Sequence, residues 1–384
     1  MRGRSIGTWV LLFYAPAWAC AQPSGKEQFD DLSRRAQAAL DSHPDEAVQL
    51  FKQALAIRPD WPEGWLYMGG TLYQMSRYAE ATDALRKGIE LAPVFANGWA
   101  LLGLSESQLD DQEQGLADIR KGEELGLNGD PQFETTVRVR AAQILVRSSA
   151  FDDALAQLQP LAKYPNEPRP VEETMGLCAL ASPDDIAAIS PQRRAAVDLA
   201  GKAAWLFTTR HPAEAADAYR QLLAQYSTEP GAHYAYGLFL LETDIKGALT
   251  ELQNEVQNNP KHWPAMLAIA SIQLRQGAPD AATETVHAAI KVTPPKYRWL
   301  CHLSLGRAQL DAKHPADAIS ELEDAIRQRP SNGGAHLFLA QAFREAGRTA
   351  DADKEKAEFE KTRAPQDPAG IPMLHPFGLP WKND

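Results

Sequence analysis

Nine histidines are the side chains of this sequence best suited to chemistry, because imidazole binds metals and moves protons near neutral pH. Their positions are periodic. Three of them directly precede a proline at the same turn of different repeats: His43, His211 and His314. Three others, in a second pattern, share the place that Trp65 and Trp99 take elsewhere: His233, His302 and His336. Periodic placement is typical of a repeated architecture, so we expect these histidines to serve structure.

The common catalytic and cofactor signatures are missing from the chain. It contains no His-Glu-x-x-His, Gly-x-Ser-x-Gly, Cys-x-x-Cys, Gly-x-x-x-x-Gly-Lys-Ser/Thr or Gly-x-Gly-x-x-Gly. Its three cysteines cannot build a four-cysteine zinc site. We expect Cys178 and Cys301 either as small buried side chains or as a disulfide pair. The sequence therefore predicts no catalytic, cofactor-binding or metal-binding residues and a protein that is not an enzyme.

The net charge limits which classes of binding partner are expected. The 384 residues include 39 Lys and Arg against 50 Asp and Glu, which gives a net charge of -11. A general affinity for phosphate backbones or anionic lipid is disfavoured by that charge, so nucleic acid is not an expected partner.

The first residues have the pattern of a secretory signal. Arg2 and Arg4 precede an apolar run from Ile6 to Tyr14, and small residues follow. We predict cleavage between Ala21 and Gln22, which would place the mature chain in the periplasm or outside the cell. Two alternatives remain open: a lipid anchor at Cys20, typical of an outer-membrane lipoprotein, or an anchor that is not cleaved. No later segment has the roughly 20 apolar residues of a membrane span.

The elements that position these residues follow from an internal repeat. A small residue returns about every 34 positions, with one spacing as long as 39 and one as short as 28. These residues are Ala47, Ala81, Gly115, Ala154, Ala187, Ala215, Ala248, Ala282, Ala318 and Ala352. Within each period the apolar residues have helical spacing in two runs, so each period predicts a helical hairpin.

The best-preserved period resembles the tetratricopeptide repeat. The residues that carry the resemblance are Trp65-Leu66-Tyr67-Met68-Gly69, then Leu72, Tyr78, Ala81, Leu85 and Pro93. The likeness covers roughly residues 28 to 361. It implies an all-α fold, a right-handed superhelical α-solenoid of about nine to ten helix-turn-helix repeats.

Two breaks divide the predicted array, one near Leu127 to Pro131 and one near Tyr164 to Pro170. We expect five segments: a signal peptide at 1–21, an N-terminal array at 22–165, a degenerate repeat at 166–195, a C-terminal array at 196–361, and a proline-rich extended tail at 362–384. The degenerate repeat is expected to have a shortened second helix.

The family resemblance also implies a binding surface. In tetratricopeptide proteins the first helix of each unit lines a concave groove, and its places map onto Leu66, Tyr73, Asn97, Ala100, Leu104, Leu267, Ser271, Leu274, Leu303, Arg307, Leu337, Gln341 and Arg344. This strip is apolar with few charges and suits an apolar helix or extended segment of a partner. The alternative is that its leucines only pack against neighbouring helices. The lysine and asparagine of a carboxylate clamp are absent from the first units, where Leu66 and Gly70 stand.

Two classes of function follow. The favoured one is a non-catalytic exported scaffold or adaptor that binds a protein or peptide partner. The alternative is a lipid-anchored structural subunit of an envelope assembly, secretion or pilus machine. We also expect the tail to dock on its own or a neighbouring array, because it carries apolar side chains that cannot form a core: Ile371, Met373, Leu374, Phe377, Leu379 and Trp381.

Overall fold

The computed structural model describes residues 25–127, 130–164 and 169–362. Within these ranges the regular structure is helical and no β-strand forms. The predicted signal peptide, its cleavage residues Ala21 and Gln22, the anchor candidate Cys20 and the tail from residue 363 lie outside the described residues. The prediction of an all-α solenoid is confirmed, and two compact units divide the chain near residue 128.

The first unit contains three helical hairpins in its described part. In each, a first helix packs against the second helix that follows it. The helices are α1 Gly25–Ala39, α2 Pro44–Ile57, α3 Pro62–Gln74, α4 Tyr78–Leu91, α5 Ala96–Gln108 and α6 Gln112–Leu125.

The second unit contains six hairpins and one additional helix in its described part. The first hairpin and the additional helix are α7 Pro131–Arg147, α8 Phe151–Leu158 and α9 Arg169–Ala179. The remaining hairpins are α10 Pro191–Thr208 with α11 Pro212–Tyr226, α12 Ala232–Leu240 with α13 Ile245–Asn258, α14 Trp263–Arg275 with α15 Pro279–Val292, α16 Arg298–Asp311 with α17 Pro315–Gln328, and α18 Gly333–Glu345 with α19 Thr349–Thr362. Short 3-10 helices at Gln159–Lys163 and Pro295–Tyr297 complete it.

Helix α9 has no second helix of its own, although a shortened one is predicted there. Residues 180–190 form turns and irregular backbone, and α9 packs against α10 instead. Polar side chains hold this segment in its irregular path: Arg193 forms an ion pair of 2.6 Å with Asp184 and donates to the Ser182 hydroxyl at 2.9 Å. Arg194 also donates to the carbonyl oxygen of Ile186 at 2.5 Å, which satisfies a backbone acceptor that has no helical partner.

Proline and the residue before it start many of the second helices. His43, His211 and His314 are N-cap residues, and the proline that follows each occupies the first helical turn. Proline fits there because its missing N–H would have no partner in a helix. The turn inside a hairpin often needs a left-handed residue, with φ of +73° at Gly277 and +75° at Gly347.

Small residues allow the two helices of a hairpin to approach closely. A Cβ added at Gly103 would lie 2.3 Å from the carbonyl oxygen of Gly115, so the backbones of α5 and α6 are in direct contact. A Cβ at Gly306 would lie 2.4 Å from the Leu322 side chain of the facing helix. The periodic glycine and alanine are therefore packing positions.

The second unit curves back on itself. Asp153 in α8 and Arg329 after α17 are far apart in sequence, yet their charged groups lie 3.8 Å apart. The Arg329 guanidinium also stacks over Trp299, 4.7 Å from the ring centroid. Both charged side chains are half exposed, so this pair marks where the helix ends meet but contributes little stability.

Candidate functional site

One place of the first helix makes the same contact in several hairpins. The indole nitrogens of Trp65 and Trp99 donate to the carbonyl oxygens of Pro59 and Pro93, each at 2.8 Å. In the last hairpin His336 takes this place, and its Nε2 lies 2.8 Å from the carbonyl oxygen of Pro330. In these three hairpins a ring nitrogen thus ties the first helix to the turn before it.

The three histidines at this place also bind a glutamate of the second helix. Nδ1 of His233 lies 2.6 Å from Glu251, and Nδ1 of His302 lies 2.7 Å from Glu321. Nδ1 of His336 lies 2.7 Å from Glu355. Each pair joins the two helices of one hairpin, which gives these histidines a structural role. A glutamate 18 or 19 residues after each histidine is the sequence signal that identifies the pairs.

The predicted site residues of the second unit differ sharply in exposure. Leu267, Leu274 and Leu303 are buried among neighbouring helices. Ser271 and Arg307 are half-buried, and Leu337, Gln341 and Arg344 are exposed. We call these last five residues the first-helix face of unit 2. A partner can reach this face, whereas it cannot reach the three leucines without repacking the core.

The predicted site residues of the first unit are less accessible. Ala100 and Leu104 are completely buried in α5. Leu66 is half-buried and packs near Gly88 and Gly98 of adjacent helices. The remaining two, Tyr73 and Asn97, are half-buried, and the Tyr73 ring contacts that of Tyr78 with centroids 5.6 Å apart. Most of the predicted site residues of the first unit therefore pack against neighbouring helices, which is the alternative given above for the strip.

Charge surrounds the first-helix face of unit 2. Burial lowers the pKa of Arg307, the nearby Asp311 carboxylate opposes this shift, and the charge of Arg275 adds to it. Its guanidinium lies 5.7 Å from the Phe338 ring centroid. Burial raises the pKa of Asp311, one helical turn after Arg307. Glu345 accepts a hydrogen bond from Gln341 at 3.1 Å and forms an ion pair with Lys313 at 3.7 Å.

A second exposed surface lies on the first unit. Ile57, Leu91 and Leu125 end the three second helices at a spacing of 34, and Val94 and Phe95 follow Leu91. All five are exposed, and we call them the apolar edge. In the described part of unit 2, α13 and α17 end in the polar Asn258 and Gln328, whereas α11 and α15 end in the half-buried Tyr226 and Val292. The apolar edge was not predicted, but aligning the periods would have identified it.

A pair of carboxyl groups is buried in the last hairpin of the first unit. Glu106 of α5 is 2% exposed and Asp118 of α6 is 5% exposed. Arg86 donates to Glu106 at 2.7 Å. The pKa of Glu106 is raised to about 7: burial is the largest cause, the Arg86 guanidinium opposes the rise, and the nearby Asp118 adds to it.

Cys178 and Cys301 are both buried and free, which excludes a disulfide between them. Across the described ranges, no group of three histidine, cysteine or acidic side chains is placed to hold a metal ion. The helices of the described chain are also too short or too polar to cross a membrane.

The fold and its surfaces define a helical-repeat protein, and sequence comparison specifies the repeat. Two family models described as tetratricopeptide repeat match residues 38–104 and 303–368. The chain therefore contains tetratricopeptide repeats in both of these segments. No curated protein matches it.

Solved structures are similar to parts of this chain at low identity. One, titled as a functional characterization of Pseudomonas aeruginosa pilF, is 16% identical over 46% of this chain and 80% of its own, with a TM-score of 0.43. Another, MamA of Desulfovibrio magneticus RS-1 from residue 41 to its end, is 15% identical over 46% of this chain and 97% of its own, with a TM-score of 0.39.

Proposed function

We propose that this protein is a non-catalytic, exported scaffold or adaptor that binds a protein or peptide partner on the first-helix face of unit 2. Tetratricopeptide repeats generally mediate protein–protein interaction, which supports the class. The observation that carries the location is on α18. Leu337, Gln341 and Arg344, at i, i+4 and i+7, are exposed on one side of that helix.

Export rests on the N-terminal sequence. The basic residues, apolar run and small residues before Gln22 support a cleaved signal, with the mature chain in the periplasm or outside the cell. A lipid on Cys20 would instead hold the chain at the membrane. Mass spectrometry of the mature N-terminus tests both: a chain beginning at Gln22 supports the cleaved form, and a lipid-sized mass increase on Cys20 supports the anchored form.

The alternative is a lipid-anchored structural subunit of an envelope assembly, secretion or pilus machine. The apolar edge favours it, because interfaces of permanent assemblies are more apolar than those of transient complexes. Surface leucines that face no partner are common singly, but a row repeated over three hairpins is typical of an interaction site. The two proposals therefore use different surfaces of the chain.

Three leucines of nearly equal exposure separate the two proposals. Leu337 of the first-helix face is 46% exposed, Leu91 of the apolar edge is 46% exposed, and Leu109 at the α5–α6 turn is 48% exposed. Each is changed to glutamate in the mature chain, folding is checked by circular dichroism, and partners are captured from envelope extract. Loss of a captured protein with Leu337→Glu only supports the adaptor, and loss with Leu91→Glu only supports the structural subunit. Loss with the Leu109→Glu control would contradict both.

The proline-rich tail supplies a further part of the proposal. Its apolar residues, from Ile371 to Trp381, are too few to form a core and would gain stability by docking on an array of this chain or of a neighbouring copy. Deletion of residues 364–384 should then increase the binding of a hydrophobic dye and lower the melting temperature. Unchanged dye binding and unchanged melting would contradict docking.

A further inference from the structure

The apolar edge of unit 1 gathers most of the exposed apolar side chains of the described chain. Of the eight large hydrophobic side chains exposed there, five belong to the apolar edge and one, Leu337, lies in unit 2. Val94 is the most exposed of them, at 75%. Apolar surface that is grouped in this way is typical of an interaction site, and an apolar segment that covered it would be stabilised.

The first two parts of the apolar edge, at the ends of α2 and α4, flank one tryptophan. The Trp65 indole of α3 donates at 2.8 Å to the carbonyl oxygen of Pro59, two residues after Ile57. The ammonium group of Lys87, one helical turn before Leu91, lies 4.6 Å from the centroid of the same Trp65 ring. These contacts bring the end of α2 and the end of α4 together.

The third part of the apolar edge, at the end of α6, meets the second through α5. A Cβ added at Gly122 of α6 would lie 2.7 Å from the carbonyl oxygen of Ala96 in α5, so the two backbones touch there. Phe95 directly precedes Ala96, and Leu125 follows Gly122 by one helical turn. Because the two helices of a hairpin are antiparallel, the Leu125 end of α6 meets Phe95 at the start of α5.

The charges next to the apolar edge nearly balance. The last turn of α2 is uncharged, that of α4 carries Lys87 and Glu90, and that of α6 carries Lys121, Glu123 and Glu124. Lys121 forms an ion pair with Glu124 at 3.3 Å. A surface without an excess of basic side chains has little electrostatic attraction for an anionic lipid surface, which favours an uncharged apolar segment as the occupant.

The tail supplies a segment of that chemistry. Between residues 369 and 381 it contains no Asp, Glu, Lys or Arg. Its prolines at 372, 376 and 380 favour the polyproline conformation, in which every third residue returns to the same side after about 9 Å. Ile371, Leu374 and Phe377 have this spacing of three, so they would form one apolar side.

The spacing of the tail matches the spacing of the hairpins. Lys52 of α2 and Glu80 of α4 lie 3.6 Å apart, so the second helices of these successive hairpins are neighbours. Packed helices are separated by about 8 to 10 Å. We propose that the tail docks along the apolar edge of unit 1 and places Ile371, Leu374 and Phe377 on its three parts. This site rests on the tail docking of the proposed function, and its occupation leaves the first-helix face of unit 2 for the partner.

Disulfide trapping in the full mature chain tests the proposal. Phe377→Cys is combined with Leu91→Cys or, as the matched control, with Leu109→Cys, because Leu91 and Leu109 are 46% and 48% exposed. The native Cys178 and Cys301 are buried, and burial raises the pKa of both thiols, so neither competes for the engineered pair. Circular dichroism checks the fold, and mass spectrometry of digested protein identifies the disulfide.

We expect the pair with Leu91→Cys to form its disulfide about tenfold faster than the pair with Leu109→Cys, because docking raises the effective concentration of the tail at the apolar edge. Adding Val94→Glu to the first pair should slow trapping about tenfold, since the docked tail would bury an unpaired carboxylate. Equal rates for the two pairs, or trapping that Val94→Glu leaves unchanged, would overturn the proposal.

A third pair, Phe377→Cys with Leu337→Cys, separates failure of this site from failure of the proposed function. If the third pair is trapped fastest, the tail docks on the first-helix face of unit 2, and the assignment of the apolar edge is wrong although tail docking stands. If the pair with Leu91→Cys is trapped fastest while Leu337→Glu leaves capture of an envelope protein intact, the tail site stands and the adaptor proposal is wrong.

Discussion

The buried carboxyl group of Glu106 should make the stability of this protein depend on pH. Its pKa is about 7 in the folded chain against an ordinary value of 4.5. The folded state therefore binds the proton more tightly than the unfolded state between these pH values, and the free energy of unfolding rises as pH falls from 7 to 4.5. Above pH 7 Glu106 is ionised in the folded state as well, and the loss in the free energy of unfolding has reached its full value.

The magnitude follows from the same two values. One pKa unit corresponds to about 1.4 kcal/mol, so a rise from 4.5 to about 7 corresponds to about 3 kcal/mol. Glutamine has the shape of protonated glutamate and cannot ionise. Glu106→Gln should therefore raise the free energy of unfolding by about 3 kcal/mol at pH 8 and by about 0.4 kcal/mol at pH 4.5.

Urea unfolding followed by far-ultraviolet circular dichroism at these two pH values measures the effect. Glu113→Gln is the matched control, because Glu113 lies on the exposed side of the neighbouring helix α6. It should change the stability little at either pH. A Glu106→Gln variant that is no more stable than the unchanged chain at pH 8, or that gains equally at both pH values, would refute the reasoning.

Two predictions concern contacts within hairpins. Gly103→Ala should destabilise the fold by about 2 kcal/mol or more, because its Cβ would lie 2.3 Å from the carbonyl oxygen of Gly115. Gly70→Ala is the control, since its nearest neighbouring atom is 3.6 Å away, and equal melting temperatures of the two variants would contradict the prediction. His336→Phe removes both ring hydrogen bonds and should cost about 1 to 3 kcal/mol in urea unfolding. A midpoint shift no larger than that of the exposed control His211→Phe would count against it.

The helical hairpins could be predicted because their packing repeats in the sequence. The small residues that recur about every 34 positions are the ones that let helices touch, as Gly115 does against Gly103. The prolines that follow His43, His211 and His314 indicated where second helices begin, and these helices begin there in the structure. Local geometry of this kind depends on residues close in sequence, so the sequence reports it directly.

The exposure of the first-helix residues could not be predicted in the same way. Leu267 and Leu303 are buried whereas Leu337 is exposed, although all three occupy the same place of their repeats. The difference depends on which helices cover each place, and that is a property of the stacked array. The sequence pattern therefore identified the places but not their accessibility.

Departures from the period mark residues with a special role in the structure. Glu106 and Asp118 stand where the preceding hairpin has Leu72 and Ala84, so a column-by-column comparison would have identified two acids at core places. The irregular segment after α9 is a different case. Ser182 and Arg193 hold it through side-chain contacts that no local pattern specifies.

Site-specific photo-crosslinking in the intact cell envelope tests the central claim, binding of a partner on the first-helix face of unit 2. A benzoylphenylalanine replaces Leu337, Leu91 or Leu109 in turn, since these side chains have nearly the same exposure on three different surfaces. We predict a covalent adduct with a second protein from position 337 and none from position 109. An adduct from position 91 without one from position 337 would contradict the claim and assign the contact to the apolar edge.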